Sequence, residues 1–124
     1  MGESWVIDGD TVPLSPEAVL EALRVRIDSG LRETWLTSSV GRMVVLVTNT
    51  ERAMVLLLEG VGDPGEHAVD PGARGWSEGF VLSDGQDDAY PDEDTVPLHQ
   101  AYRLVQHLVG TGSWPTDARW AADR

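Results

Sequence analysis

Apolar positions along this chain recur at two spacings, and the changes between them mark out its elements. Trp5-Val6-Ile7 is a short apolar run closed by Asp8-Gly9, a dipeptide suited to tight hairpins, with Val12 and Leu14 available as a returning arm. Ser15-Pro16-Glu17 sets a helix start: a hydroxyl to cap, a proline at the first position and an acid in the first turn. Val19, Leu20, Leu23 and Ile27 then fall at helical spacing, and Gly30 closes the helix. Residues 34–37, 43–47 and 53–58 are apolar runs too short for stable helices and bounded by turn residues, so they read as strands. The β-branched run 43–47 is the central one, with 53–58 as its antiparallel neighbour.

Residues 59–75 lose this regularity. Five glycines and two prolines predict a long loop, and His67 inside it reads as a solvated loop histidine. A single histidine without a second at ligand spacing does not define a metal site. Trp76 precedes a strand at 80–82, which ends in the turn Ser83-Asp84-Gly85. An acidic surface loop follows, with Asp84, Asp87, Asp88, Asp92, Glu93 and Asp94 and no base among them. Leu98, Ala101, Tyr102, Val105, Leu108 and Val109 form the clearest amphipathic helix in the chain, with Thr95 as its cap and Gly110 as its end. Trp114-Pro115 and Trp120 predict a last extended segment returning to the sheet. Trp5, Trp35, Trp114 and Trp120 are assigned to the core. The string Asp-Thr-Val-Pro-Leu occurs at Asp10 and again at Asp94, each time ahead of a helix. The fold class expected is α+β: one domain with an antiparallel sheet of about four to six strands and two helices packed against it.

Charge narrows the function. Nine arginines, no lysine and 21 acids give a formal net charge of −12 over 124 residues. Such a surface repels nucleic acid and anionic lipid and attracts basic partners, although acidity also serves solubility. There is no cysteine, hence no disulfide framework, thiolate metal site or cysteine nucleophile. No stretch reads as a signal peptide or a membrane span, so a cytoplasmic location is expected. His-Glu-x-x-His, Gly-x-Ser-x-Gly and phosphate-loop patterns are lacking, and His67, His99 and His107 are scattered. Read as a calcium loop from Asp84, the acidic stretch puts Ala89 at position six and Thr95 at position twelve, which fails. No catalytic group, metal or cofactor is expected.

The string Gly85-Gln86-Asp87-Asp88-Ala89-Tyr90-Pro91, followed by Thr95-Val96-Pro97-Leu98 with Ala101, a glycine after the helix, Pro115 and Trp120, resembles the first-numbered immunity-protein family of bacterial polymorphic toxin systems. Members commonly carry Asn-Gly-Gln at the strand end, where this chain has Asp84-Gly85-Gln86. The resemblance implies a non-catalytic antitoxin that binds the toxin domain of its own system, commonly a nuclease or nucleic-acid deaminase. A basic nucleic-acid cleft would then be covered by acids standing in for phosphates. The residues expected at that contact are Asp84, Gln86, Asp87, Asp88, Asp92, Glu93 and Asp94, with Trp76 and Tyr90 as aromatic anchors. Tyr90 could equally pack on its own domain. A small acidic accessory domain binding some other basic partner is the alternative.

Overall fold

The structure, a computed structural model, describes residues 3–8 and 13–123. Gly9 and Val12 of the expected first hairpin, and Asp10 to Val12 of the first repeated string, lie outside the described residues. In chain order the elements are β1 (Trp5–Ile7), α1 (Pro16–Asp28), β2 (Glu33–Ser38), β3 (Met43–Thr48), β4 (Arg52–Leu58), β5 (Glu66–Ala68), β6 (Trp76–Val81), β7 (Asp87–Pro91), a 3-10 turn (Asp92–Asp94), β8 (Val96–Pro97), α2 (Leu98–Thr111) and β9 (Trp120–Ala122). The α+β class holds, and the sheet is larger than expected. Seven strands form it in the order β1-β2-β3-β4-β5-β9, with β8 pairing the start of β4, and every pairing is antiparallel. A separate two-stranded sheet is the hairpin β6–β7.

Strand register assigns the two faces of the large sheet. Leu36, Val44 and Leu57 pair in one row, and Trp35, Val45, Leu56 and His67 pair in the next. Directly paired residues share a face, and successive residues alternate. The Leu36 face is covered by both helices. Val19, Leu23 and Ile27 of α1 and Ala101, Leu104, Val105, Leu108 and Val109 of α2 close over it as the main core. The opposite face is covered mainly by the hairpin, through a smaller cluster of Val45, Val47, Leu58 and Phe80 with half-buried Trp35, Met43, Met54, Leu56, Leu82 and Tyr90 around it.

Local chemistry agrees with expectation at α1, where Ser15 Oγ accepts the Ala18 N–H at 3.1 Å and caps the helix. It differs at α2. Thr95 is buried three residues before the helix and does not cap it; the capping position is Pro97, which offers no side-chain acceptor. The Asp94–Leu98 string is consumed instead by the turn, by β8 and by the first helical residue. Gly110 continues the helix, and the end falls at Gly112, which takes the left-handed conformation (φ +78°) and donates its N–H to Leu108 O at 2.7 Å.

Two further expectations are corrected. The 59–75 segment contains β5, a strand of only three residues, stitched to β4 on one side and β9 on the other. Trp120 does not fill the core: it is 46% exposed on the edge strand β9. Trp5 is fully buried, while Trp35 and Trp114 are half-buried. No helix among the described residues is long and apolar enough to cross a membrane.

Candidate functional site, an acidic hairpin

The acidic segment is half strand rather than loop. Leu82 donates its N–H to Gln86 O at 2.8 Å, and Gly85 donates to Leu82 O at 2.9 Å, closing the Ser83-Asp84-Gly85 turn. Asp84 Oδ1 accepts the Gln86 N–H across that turn at 2.9 Å. Below the turn Val81 pairs with Asp87 and Phe80 with Asp88. The register then shifts, so Glu78 and Gly79 together oppose Ala89 before Ser77 pairs with Tyr90. Gly79 supplies the positive φ (+87°) that this bulge requires. Phe80 pairs with Asp88, and Asp88 and Tyr90 alternate onto one face, so Phe80 and Tyr90 share the inner side of the hairpin.

There the rings meet edge to face, with centroids 4.9 Å apart and planes at 71°. Of the two roles open to Tyr90, the structure gives packing on its own domain. Its hydroxyl donates to Asp88 Oδ2 at 3.1 Å, and Asp88 Oδ1 accepts from Gln86 Nε2 at 2.8 Å. Burial, reinforced by the Asp88 carboxylate, pushes the Tyr90 phenol up to about 12, so it stays a protonated donor at neutral pH. Glu33 on β2 pins the tip from below, accepting from Ser83 N–H at 2.7 Å and Trp35 Nε1–H at 2.9 Å. Burial opposes its charge, yet these donors hold its carboxyl below the usual range.

Outward, the hairpin presents Trp76 (69% exposed), Val81, Asp87 and Ala89, with Glu78 exposed at the bulge. Glu78, Asp87, Asp88 and Ala89 line one shallow groove. Glu78 is the member that the sequence reading missed. It lies before Phe80, outside the run of acids, and only the bulge carries it beside Asp87.

The second half of the segment is tied inward. Asp92 accepts the Ser77 hydroxyl and donates its N–H to Gly75 O at 3.0 Å. Asp70 donates its N–H to Glu93 O at 2.8 Å, leaving the Glu93 side chain exposed. Arg52 on β4 gathers the rest: Nε donates to Thr95 Oγ1 at 2.7 Å, and Nη2 donates to Asp70 Oδ2 at 2.6 Å, Asp92 O at 3.1 Å and Thr95 O at 3.0 Å. One guanidinium therefore fixes the 3-10 turn to the sheet, and Thr95 serves it as a buried acceptor.

His67 is not a solvated loop residue. Its side chain is 15% exposed, Nε2 lies 3.0 Å from Asp94 Oδ1, and Nδ1 lies 2.8 Å from Asp123 Oδ2. Burial alone would lower its pKa, but the two carboxylates reverse this and raise it above the ordinary value. A recess of about 200 Å³ opens beside it, between Met54, Leu56, Tyr90, Asp94 and Asp123. Both ring nitrogens are engaged by carboxylates, so neither is left to take a proton from a substrate. Among the described residues no three His, Cys, Asp or Glu side chains gather as a metal site.

The structure thus divides the expected contact residues. Trp76, Asp84, Gln86, Asp87 and Glu93 are exposed, Asp88 and Tyr90 are half-buried and bonded to each other, and Asp92 and Asp94 hold the scaffold together. In comparison with known proteins, the chain matches no protein-family model and no curated sequence.

Proposed function

We propose that this chain is an immunity protein that binds a cognate toxin domain and covers its basic, nucleic-acid-handling cleft. The protein acts by occupancy and performs no chemistry of its own. It works in the cytoplasm, where such a toxin would do its damage. The motif resemblance between Gly85 and Trp120 suggests the class. The observation that carries the reading is the outward face of the β6–β7 hairpin, where an exposed indole, Trp76, stands with Asp87 and Glu78 on a backbone pinned from beneath. A strand pair bearing an aromatic and exposed carboxylates supplies both an anchor and a steering charge on a backbone that is already ordered before binding. The net charge of −12 extends that steering over the whole surface.

The test is charge reversal on that face. Glu78→Arg with Asp87→Arg should leave the circular dichroism spectrum unchanged, weaken toxin binding by at least about tenfold and flatten its dependence on salt. Unchanged affinity and salt slope would remove the hairpin as the contact. Co-expression with the toxin gene of the same locus, scored by survival, separates a toxin inhibitor from an acidic domain serving some other basic partner.

A further inference from the structure

A second recess opens on the helix-covered face of the sheet, near β9, away from the hairpin. It encloses about 460 Å³ between Arg42, Leu57, Glu59, Glu66, Trp114 and Trp120. One wall is a pair of indoles lying 11° from parallel with ring centroids 6.4 Å apart. Trp114 is the fixed member: it packs on the main core, and its Nε1–H donates to Glu66 Oε1 at 2.9 Å. Trp120 stacks against Trp114, is 46% exposed and lines the recess. Glu59 also lines the recess, and its side chain is 54% exposed. Among the described residues Arg42 is the one cation in the lining, and its donors are already committed. Nε and Nη2 bind Glu3 at 3.0 and 2.6 Å, Nη1 binds Glu59 at 3.2 Å, and Nη2 also reaches Gly112 O at 2.8 Å. Glu3 and Glu59 thus set two carboxylates against the one Arg42 guanidinium.

We infer that this recess is a binding site for a guanidinium group, presented by an arginine side chain of a protein partner. The exposed Trp120 indole attracts a cation through its ring quadrupole, and a planar guanidinium stacks on such a ring as a compact ammonium does not. Glu59 offers the carboxylate that completes the pairing. The protein already uses this combination once: the Arg42 guanidinium lies 5.9 Å from the Trp5 ring centroid while held by Glu3 and Glu59. The site lies on the sheet face opposite the hairpin and does not depend on the proposed toxin reading.

The experiment is a titration of the full chain, carrying 15N-labelled tryptophan, with N-acetyl-arginine methylamide, its lysine counterpart and its glutamine counterpart. The arginine probe should move the Trp114 and Trp120 indole signals saturably in the millimolar range and leave Trp5, Trp35 and Trp76 in place. Glutamine should move nothing. Trp120→Ala should weaken the response of the Trp114 indole at least about fivefold. Glu59→Gln, at an exposed position, should weaken it about threefold to tenfold with the spectrum otherwise intact. No saturable movement, equal movement of all five indoles, or a Glu59→Gln response equal to that of the unsubstituted chain overturns the proposal. A lysine probe that matches arginine reduces the recess to a plain negative patch and overturns the guanidinium assignment.

Discussion

The two faces of the large sheet are built to different standards. The helix-covered face spreads its core over eighteen buried residues among those described, drawn from both helices and six strands of the sheet. The hairpin-covered face has four, and only Phe80 comes from the covering layer. Helices bring a wide apolar stripe to a sheet. A two-stranded hairpin brings one face of short strands, and here one full ring plus the edge of Tyr90. The first face carries the fold. The second trades coverage for a thin, stiff layer whose outer side is free to hold acids.

Three substitutions break or sharpen that contrast. Phe80→Ala should have the largest effect, about 3–5 kcal/mol, because no other buried side chain of the hairpin shares its load. Hydrogen exchange should show β6 and β7 losing protection ahead of β3 and β4. Equal loss everywhere would mean that the hairpin and the sheet form one cooperative unit. Leu108→Ala, in the larger core, should cost about 2–4 kcal/mol in denaturant melts and lower protection uniformly, since its neighbours belong to both helices and the sheet.

His67→Gln should cost least, about 1–2 kcal/mol, and only where the imidazole is charged. The folded state raises the His67 pKa above 6.5, so its bonus is complete below 6.5 and fades as pH climbs through the folded value. Melts of the two proteins should therefore differ at pH 6 and converge on the alkaline side. A difference that grows with pH would contradict the Asp94–His67–Asp123 bridge.

Much of the scaffold was legible because its signals are local. The Ser15-Pro16-Glu17 start, the strand runs through β2 to β4 and the apolar stripe of α2 lie within a few residues of what they specify. Strands β5 and β7 escaped because their residues have poor strand propensity. Glu-His-Ala and Asp-Asp-Ala-Tyr-Pro are extended only because neighbours pair with them. The alternation of Asp88 and Tyr90 inward with Asp87 and Ala89 outward was the available sign of β7. His67 looked solitary because its partners Asp94 and Asp123 are 27 and 56 positions away. Arg52 hid its function in the same way, with acceptors 40 and 43 residues downstream. Gly110 misled because it serves packing, a Cβ there lying 3.2 Å from Pro16 Cγ, while Gly112 takes the left-handed φ that ends α2.

The outermost strands of the large sheet, β1 and β9, are three residues each, and Leu14 already donates its N–H to Trp5 O on the β1 side. A ladder that short gives a stray chain few rungs on which to template fibrils. A protein built on β-structure can in this way be kept abundant at high concentration without seeding its own aggregation.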